Sequence, residues 1–252
     1  MAANAKTRKL RLDLLLVERG LAESRSKAQA LIMSGNVHGP DRRLDKPGEE
    51  LAIDAQITVK GEEQPWVSRG GIKLAHGLES FAIDPKGLTC LDIGASTGGF
   101  TDVLLQAGAA RVYAVDVGRG QLAWSLRNNE QVVVLERTNA RYLSRAQVPE
   151  AVDMVVCDAS FIGLRTVLPA ALSLAASGAC LVALIKPQFE VGPGRVGKGG
   201  VVRDPELHAQ VRADMLEWLN GQEGWTALGT VVSPIKGPKG NVEFLIAGRH
   251  NG

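Results

Sequence analysis

From residue 68 onward, short apolar runs of strand length alternate with longer amphipathic segments of helix length. Apolar runs without strict alternation are typical of strands buried on both faces, and helices between such strands require parallel neighbours. The pattern therefore predicts a mostly parallel sheet with helices on both sides. The predicted helices begin near Gly71, Gly98, Gln121, Leu164 and Pro205. The predicted strands are Thr89–Ile93, Arg111–Val115, Val132–Leu135, Met154–Cys157, Leu181–Ile185, Ala227–Val232 and Glu243–Ala247.

The last two predicted strands are connected differently from the others. The connection over residues 233–241 reads Ser-Pro-Ile-Lys-Gly-Pro-Lys-Gly-Asn, which leaves no room for a crossover helix. These strands must therefore form an antiparallel hairpin. A seven-stranded α/β sheet of Rossmann-like type with an antiparallel terminal hairpin is the architecture of class I methyltransferases. We predict this fold for residues 68–252, preceded by a linker over residues 61–67, with Trp66 packing at the junction.

The N-terminal segment, residues 1–60, has shorter predicted helices and strands and is basic. An apolar stripe predicts a helix over residues 12–19, and Ser24 is suited to cap a second helix that ends before Gly35. Short strands should follow, the last of them the alternating segment Leu51–Val59. Residues 1–30 hold seven Lys and Arg against three acids, although the whole chain carries a formal net charge of only +2. We therefore expect a small α+β domain with a polyanionic partner.

Three short motifs in this segment resemble the S4 RNA-binding domain. They are Arg-Leu-Asp at 11–13, Ser-Arg-Ser-Lys-Ala at 24–28 and Gly-Asn-Val at 35–37. Arg25 and Lys27 fall in the first turn of the second helix, where cations oppose the helix dipole, so we expect an anion such as an RNA phosphate there. His38 stands where that family more often has Asn. The alternative is a helical hairpin that binds another protein.

Composition excludes several other classes of protein. The chain is 45% hydrophobic and 22% charged, which is ordinary for a globular protein, and its apolar runs are too short to cross a bilayer. No signal-peptide pattern follows the polar N-terminus, so we expect a cytoplasmic protein. The three cysteines, Cys90, Cys157 and Cys180, form no Cys-x-x-Cys pair and should be buried, reduced thiols. The four histidines lack ligand spacing, and we expect no metal.

The strongest local motif is Leu-Asp-Ile-Gly-Ala-Ser-Thr-Gly-Gly-Phe-Thr at residues 91–101. It turns from the first core strand into a helix, which is where open α/β sheets bind ligands. The turn opens with an acid, Asp92, which suits a cationic amino group and disfavours a pyrophosphate, so S-adenosylmethionine is favoured over NAD. Asp116 lies at the end of the next strand, where it can accept hydrogen bonds from ribose hydroxyls. The alternative is a purely structural turn with solvated acids. The predicted cofactor-binding residues are Asp92, Gly94, Ser96, Thr97, Gly98, Gly99, Phe100, Asp116, Asn139 and Ala140, the last two bordering the adenine.

A second glycine-rich stretch, residues 192–199, differs by one residue from a phosphate-binding P-loop. Gly199 stands where that motif needs Ser or Thr for magnesium, and the stretch does not lead from a strand into a helix. We interpret it as a basic loop over the active site, with Arg203 just beyond it. The predicted RNA-binding residues are Arg8, Arg11, Arg25, Lys27, Arg69, Arg195 and Lys198.

Four charged residues occur where this fold converges on its cofactor: Lys73, Asp158, Lys186 and Glu243. Their order resembles the tetrad of RNA ribose 2′-O-methyltransferases. With the S4-like head, Ser-Thr-Gly-Gly-Phe-Thr, Cys-Asp-Ala-Ser-Phe and Lys-Pro-Gln-Phe-Glu, the whole chain looks like the TlyA family. That resemblance implies methylation of cytidine 2′-hydroxyls in ribosomal RNA, and members of the family are often labelled haemolysins.

The residue types suit this chemistry. A ribose 2′-hydroxyl must lose its proton as it attacks, and a buried lysine near a second cation can be neutral enough to take it. We expect Lys186 to be the base, Lys73 to steady the developing alkoxide, Asp158 to orient Lys186, and Glu243 to hold the lysines. The alternative is two structural ion pairs.

Other activities remain open from the residues alone. A base methyltransferase would be favoured by an Asn-Pro-Pro-Tyr-type motif or a catalytic Cys; here the motif is Asp-Ala-Ser-Phe, and Cys157 should point inward. A non-catalytic RNA-binding or ribosome-binding protein would fit the N-terminal segment but leave the charged residues unexplained. A direct haemolytic activity lacks an amphipathic membrane helix. Phe161 is a candidate stacking partner for a flipped target base.

Overall fold

The computed structural model describes residues 8–22, 24–59, 65–192 and 194–252. The chain divides into two compact units, Met1–Glu63 and Gln64–Gly252. Residues 61–64 of the predicted linker lie outside the described residues. Trp66 packs on the second unit, where its side chain occupies the space that a Cβ on Gly71 would need.

In its described residues, the first unit combines two helices with two short two-stranded sheets. Its elements are β1 (Lys9–Arg11), α1 (Leu12–Glu18), α2 (Arg25–Met33), β2 (Val37–His38), β3 (Glu50–Ala52) and β4 (Thr58–Val59). Ser24 caps α2 by accepting a hydrogen bond from the amide of Lys27 at 3.2 Å, as predicted. The core of the unit forms where α1 and α2 pack together, and includes Leu12, Leu16, Ala28, Ile32, Val37 and Leu44.

The prediction of one strand over Leu51–Val59 was wrong. The segment contains two strands in two sheets, because β3 pairs with β1 and β4 pairs with β2. A turn separates them, with the amide of Ala55 bonded to the carbonyl of Ala52. The guanidinium of Arg19 donates to the carbonyls of Ile53 and Ala55, which holds this turn against the end of α1.

The second unit is built on a seven-stranded sheet, which confirms the predicted fold. Its strands are β5 (Thr89–Ile93), β6 (Arg111–Val115), β7 (Val132–Leu135), β8 (Val152–Cys157), β9 (Ala175–Ile185), β10 (Trp225–Val232) and β11 (Phe244–His250). Their order in space is β10-β11-β9-β8-β5-β6-β7, and only the pairs that involve β11 are antiparallel.

Both faces of this sheet are covered by helices, as the apolar strands predicted. The helices are α3 (Gly70–Ser80), α4 (Gly99–Gln106), α5 (Trp124–Arg127), α6 (Leu164–Val167), α7 (Pro169–Leu172), α8 (Pro187–Glu190) and α9 (Pro205–Asn220). Alternate residues of β8 enter different cores: Met154 and Val156 pack with α3 and α4, whereas Val155 and Cys157 pack with α6, α7 and α9. The sheet is therefore the shared wall of two apolar layers.

Several boundaries differ from the prediction. β9 begins at Ala175, whereas the sequence predicted a start at Leu181. The prediction was late because the first residues of the strand, Ala-Ala-Ser-Gly, lack the apolar signal of the rest. The helix expected near Gln121 begins at Trp124, after a glycine-containing turn, and the one expected near Leu164 is divided at Pro169. A proline inside a helix lacks the N–H that the preceding turn requires.

Candidate active site

Parallel strands bring the candidate site to one edge of the sheet. β5, β6, β8 and β9 all end at this edge, and β11 begins there because it is antiparallel to β9. Phe244 pairs with Ile185, so Glu243 and Lys186 leave the sheet at the same end. A cavity of about 510 Å³ opens at this edge, lined by Ser68, Arg69, Gly70, Lys73, Gly94, Ala95, Ser96, Thr97, Gly99, Phe100, Asp158, Ser160, Lys186, Ile235, Lys236, Gly237 and Lys239.

The turn after β5 requires glycine for two reasons. Gly94 and Gly98 have φ of +80° and +97°, a region that other residues rarely adopt. A Cβ on Gly94 would also lie 2.9 Å from the backbone of Ala159 in the neighbouring turn, and one on Gly98 would lie 2.8 Å from Leu122. The turn can therefore pass close to the loop after β8 only without side chains.

Asp92 is a buried carboxyl group with one oxygen unpaired. Its Oδ2 accepts a hydrogen bond from the hydroxyl of Thr101 at 2.6 Å, whereas Oδ1 has no hydrogen-bond partner among the described residues. Burial raises the pKa of Asp92 to about 7, against the opposing effect of the Thr101 hydrogen bond. A buried carboxyl with an unused acceptor is suited to a ligand that carries a positive charge.

Asp116 organises the loops around the glycine turn. Its two carboxylate oxygens accept hydrogen bonds from the amides of Ser96 at 2.8 Å and Gly118 at 2.6 Å. The side chain is only partly buried. It therefore ties the end of β6 to the turn after β5.

Part of the predicted cofactor set lines the cavity, namely Gly94, Ser96, Thr97, Gly99 and Phe100, whereas Asp92, Gly98, Asp116, Asn139 and Ala140 are not among its lining residues in the described chain. Asn139 caps a short 3-10 helix by accepting from the amide of Arg141, and the methyl group of Ala140 packs into the core beside Leu143 and Val148. Neither is among the residues that line the cavity in the described part of the chain.

The four predicted catalytic residues form a linked cluster. Lys186 Nζ lies 2.6 Å from Asp158 Oδ1, and Lys73 Nζ lies 2.7 Å from Glu243 Oε2. Asp158 joins the two pairs, because its Oδ2 is 3.7 Å from Lys73 Nζ. Lys73, Lys186 and Glu243 are buried, and only Asp158 is partly exposed.

Separate elements position these four side chains. Lys73 lies on α3, Asp158 follows β8, Lys186 precedes α8 with Pro187 as the first helical residue, and Glu243 immediately precedes β11. Two cations and two carboxylates held apart from bulk water can accept, hold and return a proton within the cluster. Such an arrangement is typical of sites that perform acid–base chemistry.

Sequence reasoning missed several residues of this cavity. Ser160 lies within the Cys-Asp-Ala-Ser-Phe motif but was not predicted as a site residue, and its Oγ accepts a hydrogen bond from Lys186 Nζ at 2.7 Å. Gly237 faces Glu243, and Lys236 and Lys239 lie on the rim. The Ser-Pro-Ile-Lys-Gly-Pro-Lys-Gly-Asn connection was identified as a hairpin loop, and its two lysines were the only available signal.

A buried acid in the first unit engages two of the predicted RNA-binding arginines. Asp13 is fully buried and pairs with Arg11 at 3.0 Å and Arg25 at 2.9 Å, and Gln29 also donates to it. These partners, Arg11 foremost, hold the pKa of Asp13 well below its usual range. Arg11 and Arg25 keep about half of their side-chain surface exposed, at 43% and 54%. Arg8 and Lys27 are exposed on the same unit.

The remaining predicted RNA-binding residues lie in the second unit. Arg69 is exposed and lines the cavity just before α3. Arg195 is exposed and donates from Nε to the carbonyl of Val191 at 3.0 Å. Lys198 is exposed in a loop closed by a bridge between Gly197 and Val201, so the stretch does not open a helix as a P-loop does.

Phe161 lies beside the cluster and is 90% exposed. Its φ of +67° is unusual for a residue with a side chain, and its ring centroid is 5.5 Å from that of Phe189.

The three cysteines are buried. Cys157 lies at the end of β8, and burial raises the pKa of its thiol to about 12. Cys90 and Cys180 are likewise buried and unpaired.

Comparison with known proteins gave matches over nearly the whole chain. The family model described as FtsJ-like methyltransferase matches residues 66–250, and the S4 domain model matches residues 10–57. The 16S/23S rRNA (cytidine-2′-O)-methyltransferase TlyA of Mycobacterium tuberculosis is 52% identical over 241 residues, 95% of this chain and 89% of that protein. Hemolysin A of Brachyspira hyodysenteriae is 38% identical over 237 residues, 94% of this chain and 98% of that protein.

A solved structure also matches nearly the whole chain. A candidate hemolysin from Streptococcus thermophilus superposes with a TM-score of 0.73 at 39% identity, covering 97% of this chain and 89% of that one. Within the part of the chain that the structure describes, no helix has the length and apolar character needed to cross a membrane.

Proposed function

The chain belongs to the FtsJ-like methyltransferase family and, within it, to the TlyA family, and from this premise we propose its reaction: S-adenosylmethionine-dependent methylation of a cytidine 2′-hydroxyl in ribosomal RNA. One observation carries the proposal beyond the comparisons. Lys73, Asp158, Lys186 and Glu243 come from four separate elements and form one linked cluster at the wall of the cavity. A binding protein without catalysis would have no use for two buried lysines at such a wall.

The residues at the glycine turn fit S-adenosylmethionine. The unpaired buried Oδ1 of Asp92 can accept from its amino group, Gly94 of the turn lines the cavity, and Asp116 would hold the ribose. When bound, the cofactor supplies an electrophilic methyl group and leaves as a neutral thioether. We propose the glycine turn with Asp92 and Asp116 as its main contacts, with Asn139 and Ala140 contributing through the backbone that follows β7.

Lys186 acts as the general base in this proposal. As a neutral amine, it takes the proton of the ribose 2′-hydroxyl as that oxygen attacks. Asp158, whose Oδ1 lies 2.6 Å from Nζ, fixes the direction in which the amine points. Lys73 carries the charge that steadies the developing alkoxide, and Glu243 keeps Lys73 in place from its buried position.

The S4 domain and the cavity rim supply the contacts to RNA. Arg8 and Lys27 are exposed cations on the S4 domain, Arg11 and Arg25 are fixed there by Asp13, and Arg69, Arg195 and Lys198 are exposed on the methyltransferase domain. Because these are phosphate-type contacts, binding should weaken steeply as salt rises. We propose a cytoplasmic location, because ribosomal RNA is the proposed substrate.

Methyl transfer from labelled S-adenosylmethionine to purified ribosomal subunits tests the proposal. The wild type is compared with Lys186→Ala and with Lys86→Ala, a control that removes an exposed lysine after α3. Ribose methylation is mapped as resistance to alkaline cleavage. We expect a resistant site that disappears in Lys186→Ala and persists in Lys86→Ala. Transfer to neither subunit by a wild type that binds the cofactor would contradict the proposed reaction.

A further inference from the structure

Ser160 makes a contact with Lys186 that the four-residue cluster does not account for. Its Oγ lies 2.7 Å from Lys186 Nζ, a shorter separation than the 3.0 Å between Nζ and the carbonyl oxygen of Asp158. Ser160 is exposed and lines the cavity, whereas Lys186 is only 5% exposed. The serine hydroxyl therefore lies between open space and the buried amine.

The partners of Lys186 differ in what they can do with a proton. The carbonyl and the carboxylate of Asp158 only accept hydrogen bonds, so each can match only an N–H of Lys186. A serine hydroxyl both accepts and donates. Among the contacts of Lys186 with the described part of the chain, Ser160 alone can serve the ammonium form as an acceptor and the neutral amine as a donor.

The backbone keeps Ser160 in this position. The turn between β8 and Phe161 is held at one side by Ala159, whose backbone passes close to Gly94, and at the other by Phe161, which has φ +67° and whose ring centroid is 5.5 Å from that of Phe189. A residue with a side chain in this region costs about 1 kcal/mol or more, so surrounding contacts must maintain the conformation. The hydroxyl is thus fixed at the cavity wall by contacts on both sides of it.

We propose that Ser160 is a further catalytic residue, which passes the proton of the attacking ribose hydroxyl to Lys186. The O–H bond of the ribose breaks as its proton moves to Ser160 Oγ, while the proton already on Oγ moves to the lone pair of Lys186 Nζ. Ser160 ends as it began, a neutral hydroxyl, and Lys186 ends as an ammonium. The electron pair left on the ribose oxygen forms the new bond to the methyl carbon. This inference rests on the proposed function.

Three variants test it: Ser160→Ala, Ser160→Thr, which keeps the hydroxyl, and Ser173→Ala, the same truncation at an exposed serine after α7. Single-turnover methylation rates are measured against pH, with dissociation constants for cofactor and RNA and the thermal midpoint of each protein. A general acid–base contact contributes about 10²-fold or more, so we expect Ser160→Ala to be slower by that order. Its affinities and midpoint should match those of Ser173→Ala, and Ser160→Thr should recover most of the rate.

The Thr variant, followed across the pH profile, separates a relay from simple packing. Because the hydroxyl can pair with both forms of Lys186, loss of a relay should lower the rate of Ser160→Ala across the whole pH profile, and Ser160→Thr should restore the rate at each pH. Ser160→Ala with wild-type rate and profile, or equal losses in the Ala and Thr variants, would overturn the relay and leave methyl transfer standing. A wild type that binds cofactor but methylates no ribosomal subunit would overturn the proposed function and the relay together.

Discussion

Replacing Gly237 with alanine should disable the site while leaving the fold intact. Gly237 lies in the loop between β10 and β11, and a Cβ there would lie 2.5 Å from Cδ of Glu243, with Oε1 closer still. The backbone at Gly237 does not require a positive φ, so the clash with Glu243 is the main consequence. Glu243 is 1% exposed and holds Lys73 at 2.7 Å.

The displacement follows from these distances. Ordinary contact begins near 3.4 Å, so Cδ of Glu243 must move by about 0.9 Å and Oε1, which is closer, by more. The clash meets the far end of a side chain and not the backbone, so the cost in folding free energy should stay within the ~1–3 kcal/mol of an overpacked site. A shift of this size at a catalytic group can cost ~10²-fold in rate, because Lys73 moves with its partner.

The assay is single-turnover methylation of ribosomal subunits, with cofactor affinity and thermal unfolding measured on the same preparations. Gly194→Ala is the control, since a Cβ at Gly194 meets nothing within 4 Å. We expect Gly237→Ala to bind cofactor normally, to unfold within a few degrees of wild type, and to methylate about a hundredfold more slowly. Wild-type turnover by Gly237→Ala would show that the position of Glu243 does not matter for the reaction.

Three further changes probe other parts of the site. Burial raises the pKa of Asp92 to about 7, and its charged form is the one that binds an amine. The affinity for cofactor should therefore fall as pH drops below about 7, and calorimetric titrations should show that Asp92→Asn removes this pH dependence. Without ligand, the raised pKa of Asp92 means that the folded protein loses stability relative to the unfolded chain as pH rises. Asp92→Asn should therefore unfold at a higher denaturant concentration than wild type at pH 8, and its gain in stability should be smaller at pH 5. Equal gains in stability at the two pH values would contradict the burial effect. Gly94→Ala, which needs φ of +80° and places a Cβ 2.9 Å from Ala159, should lose about 1–3 kcal/mol of stability and most cofactor binding, and a normal affinity would contradict the role of the turn. Asn241→Ala removes two hydrogen bonds at 3.0 Å that join the loop before β11 to the glycine-rich loop, so its urea midpoint should fall by the equivalent of about 2 kcal/mol, and an unchanged midpoint would contradict their contribution.

The sequence predicted the parts of the fold that depend on local pattern. β5, β6 and β7 begin and end where the apolar runs do, because strands buried on both faces need continuous apolar residues. The start of β9 was missed, since Ala175 joins the sheet by pairing with Val152 of β8, and a register irregularity separates this pair from the next one, Met154 with Cys180. Leu51–Val59 was read as one strand because its alternation hides the turn that divides it.

The candidate site shows the same division. Asp92 and the glycine turn carry a local signal, and the four charged residues were found through a family resemblance. Ser160 lies within the Cys-Asp-Ala-Ser-Phe motif but was given no role, because its importance depends on Lys186, 26 residues later in the chain. Gly237 could not be found for a similar reason: only the folded chain brings Glu243 into the space of its missing side chain.

The direction of the last strand has a practical consequence for single-molecule work. β11 starts near the cavity, directly after Glu243, and ends at Arg249–His250, where Arg249 pairs with Cys180 of β9. Gly252 lies beside Ser177, which is nine strand positions from Lys186, or about 30 Å at the rise of an extended chain. A fluorophore or surface tether attached at residue 252 would therefore face away from the cavity, so that immobilised protein could still be presented with a particle as large as a ribosomal subunit.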